Sequence, residues 1–242
     1  MKVRKLFAIL MVALSVTTIS AQEKIVYGGF GLPQGKFGGD DVEKTLLFAD
    51  DKEGGLGLGF NVGFKFMNPI SPELNWFVSA DIFYNGLNSD IKDDVEDAYD
   101  NAYDECEITS FPSALNIPVM GGVNYTFADM GSMSVWAELG VGLNARILTN
   151  YEYEGKLTYG GNQYKFESSD EFDNKFLLAY QLGVGVKIND QFMIGLNYYN
   201  LGSDKVKGEG TVKIDGDSDS DDFKSSKPLA ASLLAIRFGF CF

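Results

Sequence analysis

The chain has 242 residues, 34 acidic against 20 basic side chains for a formal net charge of −14, two cysteines and no histidine. That excess of negative charge excludes nucleic acid as a partner, because holding phosphates requires Lys and Arg to neutralise them. The missing histidines remove the usual general base near neutral pH and the commonest metal ligand, and two cysteines make no disulfide framework.

Residues 1–21 read as a secretory signal peptide. Lys2, Arg4 and Lys5 precede the unbroken apolar run from Leu6 to Leu14, and small and polar residues lead to a cleavage site after Ala21. The run falls short of the about 20 apolar residues that a spanning helix needs, and no later stretch approaches that length. A mature chain of residues 22–242 suffices for one barrel or for one or two ordinary domains.

From there the dominant signal is strict alternation, the two-residue period of a strand with two different faces. A first strand is expected near Lys24 to Leu32, its facing left open. In the second, Leu56, Leu58, Phe60, Val62, Phe64 and Phe66 oppose Gly57, Gly59, Asn61, Gly63 and Lys65. The third sets Leu74, Trp76, Val78, Ala80, Ile82 and Tyr84 against Asn75, Ser79, Asp81 and Asn85. A long connection follows, in which Ile91, Val95, Ala98, Tyr99, Ala102, Tyr103 and Cys106 recur at helical spacing behind Ser89 as the cap. This predicts a short surface helix carrying Tyr99 and Tyr103.

The fourth strand sets Leu115, Ile117, Val119, Val123, Tyr125 and Phe127 against Asn116, Gly122, Asn124 and Thr126. The fifth sets Val135 to Ile147, at every second position, against Ser134, Glu138, Asn144 and Arg146. In the next long connection, tyrosines flank Gly160-Gly161-Asn162, which predicts a hairpin. The sixth strand sets Phe176 to Ile188 against Lys175, Gln181 and Lys187, and the seventh sets Phe192, Ile194, Leu196 and Tyr198 against Gly195 and Asn197. The run from Asp215 to Asp222 superficially suggests a calcium loop through Asp215, Asp217 and Asp219. It lacks the Gly at position six and the acid at position twelve of an EF-hand, so a solvated acidic loop is expected, with weak divalent binding as the alternative. In the last strand Leu234, Ile236, Phe238, Phe240 and Phe242 oppose Arg237 and Gly239.

Together these predict an all-β fold: an eight-stranded antiparallel up-and-down transmembrane β-barrel with long extracellular loops. Three connections are short and four are long, in strict alternation, as in barrels with periplasmic turns and extracellular loops. The four long loops hold 28 acidic and 11 basic residues, while the rest of the mature chain carries six of each. No apolar-face position is charged, and a charge facing lipid at mid-depth costs roughly 2–4 kcal/mol. A soluble barrel with its apolar face inward would alternate equally well. The Gly- and Asn-rich opposite face, the aromatics at the turn-side strand ends and the one-sided loops favour lipid.

The ending Ile236-Arg237-Phe238-Gly239-Phe240-Cys241-Phe242 resembles the closing strand of outer-membrane barrels, and the chain resembles a small OmpA/OmpX-type or PorT-like barrel. The resemblance implies the bacterial outer membrane as location, outer-membrane lipid as surroundings, and reading of Phe238, Phe240 and Phe242 by the barrel-assembly machinery.

No catalytic residues or cofactors are expected, since Ser/His and His/Asp arrangements are impossible without histidine. Lys65, Asp81, Glu138, Arg146, Lys187 and Arg237 share the polar face and are expected to form a lumenal network, with Glu138 and Arg237 paired across a lumen narrow enough for side chains to fill. Cys106 and Cys241 should not pair, because a membrane band separates them. The expected function is a non-enzymatic barrel with a plugged lumen, displaying acidic, tyrosine-bearing loops for surface interaction with an unidentified extracellular ligand or for envelope integrity. The alternative is a narrow porin-like channel for small solutes or cations.

Overall fold

The structure, a computed structural model, describes residues 22–39 and 53–242. The signal peptide expected over residues 1–21 lies outside the described residues. In chain order the elements are β1 (Glu23–Pro33), β2 (Gly59–Pro69), β3 (Leu74–Gly86), α1 (Ser89–Ala102), β4 (Glu105–Ser110), β5 (Ser113–Asp129), β6 (Met133–Leu148), β7 (Tyr151–Tyr159), β8 (Asn162–Phe172), β9 (Lys175–Ile188), β10 (Phe192–Ile214) and β11 (Asp217–Cys241). The result is an all-β, antiparallel, up-and-down barrel-like fold.

Eleven strands are described, so the expectation of eight is corrected. Of the extra strands, β4 lies in a segment read as a long loop, whereas β7 and β8 are the hairpin expected around Gly160-Gly161-Asn162. There, pairing to neighbouring extensions satisfies backbone groups that would otherwise need water. The two longest strands, β10 and β11, likewise run far past the wall to a turn at Asp215-Gly216.

Eight of the strands follow one another around the wall. β1 pairs with β2, β2 with β3, β3 with β5, β5 with β6, β6 with β9, β9 with β10 and β10 with β11, and β11 pairs in turn with β1 from Ile25↔Cys241 to Pro33↔Leu233. The short connections are tight. Asn189, Asp190 and Gln191 join β9 to β10, and the first two have φ of 51° and 54°, the left-handed conformation that Asn and Asp tolerate. Above this wall, β10 leaves β9 at a bulge between Asn200 and Ser203 and takes β8 as its new partner. β8 pairs with β7 and β7 with β4, completing a sheet that stands on the loop side.

Burial settles which face looks where. Phe60, Val62, Leu139, Val141 and Leu178 are exposed, the last at 81%, whereas Asn61, Lys65, Asp81, Asn116, Asn144 and Gln181 are buried. A water-soluble barrel would have this reversed, because each exposed apolar Å2 costs about 25 cal/mol in water. In β1 the inward residues are Ile25 and Tyr27, and Val26, Phe30 and Leu32 point out. Leu56 departs from its expected outward face: it is 3% exposed, since β2 starts only at Gly59 and Leu56 packs with Phe37 and the interior.

Candidate functional site

The interior has two layers. On the loop side apolar side chains predominate: Phe37, Leu56, Phe83, Leu148, Leu201 and Leu229 belong to one buried cluster, with Asn116, Asn144 and Arg146 buried beside them. Phe37 sits on a 3-10 turn (Gly35–Phe37) after β1, so this segment of the first long connection packs against interior residues of the wall. On the turn side the interior is charged, and four strands each place one ionised group at similar depth.

Glu138 of β6 is the hub. Lys65 of β2 forms an ion pair with its Oε2, and Arg237 Nη2 of β11 lies 3.4 Å from its Oε1. Asn197 Nδ2 donates to Oε1 at 2.7 Å, Gln181 Nε2 at 3.4 Å, and Asn124 Nδ2 to Oε2 at 3.3 Å. Asp81 of β3 accepts from Arg237 Nη1 at 3.4 Å and from the Tyr199 hydroxyl at 3.2 Å. Two carboxylates thus face two cations with all four side chains withdrawn from solvent. Such burial is tolerable because the charges balance and their remaining hydrogen-bonding capacity is largely filled.

Aromatic rings close the space around the cations. Lys65 Nζ lies 4.9 Å from the Phe77 ring centroid and 5.5 Å from that of Trp136. The Arg237 guanidinium lies 4.5 Å from Tyr27 and 5.3 Å from Tyr199. These contacts are attractive and exclude water. Sequence reasoning missed Tyr27, Phe77, Trp136 and Tyr199 as interior residues. For three of them the signal was present: Phe77, Trp136 and Tyr199 are large rings in the polar register of their strands, such as Phe77 between Trp76 and Val78, whereas the facing of the first strand, which carries Tyr27, was left open.

Two expected members stand apart from the network, which corrects that grouping. Arg146 is buried, but on the loop side, where its Nη1 donates to the Leu229 carbonyl at 3.3 Å. Lys187 sits at the turn-side mouth, 3.3 Å from both Glu23 Oε2 and Asp190 Oδ1. Strand alternation sets the face a residue occupies, whereas height along the barrel separates these two from Glu138. Between the mouth and the network lies a cavity of about 30 Å3, lined in part by Glu23, Lys65, Asn124, Trp136 and Lys187.

Phe238, Phe240 and Phe242 point outward, and Phe240 packs 5.7 Å from Phe192. Cys106 and Cys241 are both free.

Above the wall, α1 is capped by Asn88, whose side chain accepts from Asp90 N at 3.3 Å, one residue ahead of the expected Ser89. Its Ile91 and Val95 are buried with Leu87. Tyr99 stacks edge-on against Tyr153 at 4.9 Å, and Tyr103 lies 4.7 Å from Phe166. Both tyrosines therefore clamp the helix to β7 and β8. Burial pushes the Tyr99 and Tyr151 hydroxyls up in pKa, reinforced for Tyr99 by Tyr151 and Tyr153 and partly offset for Tyr151 by its hydrogen bond with Tyr99, and burial also raises Cys106.

Asp215, Asp217 and Asp219 belong to a tight hairpin, which corrects the expected loop. Asp215 has φ 51°, its Oδ1 accepts from Lys165 N at 3.0 Å, and Asp217 and Asp219 lie on β11 opposite Ile214 and Val212. Among the described residues no group of three or more His, Cys, Asp or Glu side chains is placed to hold a metal ion.

A family model described as "Outer membrane protein beta-barrel domain" matches residues 6–226. Among solved structures, a major outer membrane protein from Thermus thermophilus is 12% identical, with 92% of this chain and 100% of that one covered and a TM-score of 0.50. OprG from Pseudomonas aeruginosa is also 12% identical, covering 92% of this chain and 96% of its own at a TM-score of 0.43. At such identity the likeness concerns the fold alone. No curated protein matches the chain.

Proposed function

The chain belongs to the outer membrane protein β-barrel family, and from that premise we propose that it is a non-enzymatic, non-conducting barrel that holds a rigid acidic sheet at the cell surface for interaction with an extracellular partner. The eight strands β1, β2, β3, β5, β6, β9, β10 and β11 are the closed transmembrane wall, with the short turns and the mature termini in the periplasm. In this reading residues 1–21 direct export and are cleaved, and the barrel-assembly machinery reads Phe238, Phe240 and Phe242. Long strands then carry β4, β7, β8 and α1 outward on a stiff support.

The observation that carries this reading is the four-charge network of Lys65, Asp81, Glu138 and Arg237. It fills the interior at one height while Phe37 and Leu56 fill it at another. A barrel of this strand number is just wide enough for side chains to occupy it. Planar-bilayer recording of the refolded protein tests it. Silent bilayers are expected, and steady open levels would move a narrow channel for small solutes or cations ahead.

A further inference from the structure

The loop-side sheet has one polar and one apolar face. Cross-strand register places Leu157 of β7 opposite Tyr164, and Ile214 and Val212 of β10 opposite Phe166 and Ser168 of β8. Next on that same face come Asp217 and Asp219 of β11, opposite Ile214 and Val212, with Asp221 opposite Gly210. The face continues the inner side of the wall, since Val206 of the same β10 row is buried with Leu201 and Leu229. Helix α1 covers only its Tyr153 and Phe166 end. Leu157, Val212 and Ile214 remain 39%, 43% and 49% exposed. They lie far above the lipid-facing band, so bilayer burial does not account for them.

We infer that this strip is a docking surface for a cationic polypeptide segment that inserts apolar side chains over Leu157, Val212 and Ile214 and lays Lys or Arg along Asp217, Asp219 and Asp221. The inference rests on the surface-interaction reading above and names its partner class. Charge selects among occupants. Asp217, Asp219 and Asp221 are exposed and lie side by side along one edge of the strip. Anionic lipid headgroups are repelled by such a rim, and so is a second copy of a chain with net charge −14. Residues 40–52 carry five acidic side chains against Lys44 and Lys52, and are disfavoured on the same ground. A basic segment with alternating apolar residues satisfies both features, each contributing what the other lacks: burial for affinity, charge for orientation.

The test uses the full mature chain in phosphatidylcholine nanodiscs, titrated against a fluorescent peptide of alternating Lys and Val. A Glu/Val peptide and empty discs serve as controls. Binding of the Lys/Val peptide is expected. The double variant Val212→Ser/Ile214→Ser should lose about tenfold or more in affinity. The triple variant Asp217→Asn/Asp219→Asn/Asp221→Asn should lose a similar factor and show a flatter salt dependence. Heat-modifiable migration confirms that each variant is folded. Undiminished binding by either variant overturns the inference. So does an equal loss from Glu152→Gln/Glu154→Gln/Glu167→Gln on the opposite face, which would make general acidity the cause. Self-association dissolved by the serine variant, or binding that emerges only after deletion of residues 40–52, assigns the strip to another occupant and overturns it as well. Open channel levels with peptide binding intact would sink the plugged reading alone, and silent bilayers without binding would sink this one alone.

Discussion

Glu138 accepts from five side chains, two of them cations, and each donor reaches it from a different strand. Replacing it with Gln removes a negative charge while Lys65 and Arg237 stay buried with Asp81 as their remaining carboxylate. The variant Glu138→Gln should therefore lose about 3–5 kcal/mol of stability, as when one partner of a buried pair is removed. The pair Lys65→Met/Glu138→Leu removes one charge of each sign and should cost much less. Urea unfolding in lipid, followed by tryptophan fluorescence, measures both: Trp136 packs against Lys65 and reports on the network. Equal losses for the single and double variants would show that shape, not charge balance, governs the interior.

At the scale of elements, the helix α1 and the β7–β8 hairpin hold each other through rings. Tyr99, Tyr103, Tyr153 and Phe166 form a connected set, and Tyr151 lies 5.3 Å from Tyr153. Because burial raises the Tyr99 and Tyr151 phenols above their ordinary value, the packed state binds protons more tightly than the open one. Its stability is thus complete below about pH 10, where free tyrosine titrates, and falls as pH rises beyond that. Alkaline titration should show these two phenols ionising late, with loss of near-UV ellipticity in the same pH window. Ionisation of all tyrosines at the free value with the ellipticity unchanged would contradict the packing. The barrel wall, held by strand pairing, should stay folded through this range.

For the whole molecule, the decisive arrangement is that the short turns lie at one end and the long extensions at the other. In a Cys106→Ser background, a cysteine placed at Asp219 should react with a membrane-impermeant maleimide on intact cells, and one at Asp190 should not. Both positions are exposed in the protein itself, so a difference in labelling reports only the membrane between them. Labelling of Asp190→Cys with Asp219→Cys protected would invert the proposed orientation.

The strands of the wall, the two unlike faces of all but β1 and the side on which charge accumulates are legible in the sequence. These properties are local: a two-residue period shows in any short window, as in Phe60 to Phe66. α1 and the Gly160-Gly161 hairpin are legible too, because helical spacing and turn chemistry are equally local. That Lys65, Asp81, Glu138 and Arg237 meet while Arg146 and Lys187 stand apart emerges only from the folded barrel. That outcome depends on the relative height of strands distant in the chain, which no window contains. The same holds for the segments read as loops. Whether Glu105–Ser110 or Asp217–Asp222 becomes strand depends on finding an edge to pair with, and those edges exist only once β7, β8 and β10 stand above the wall.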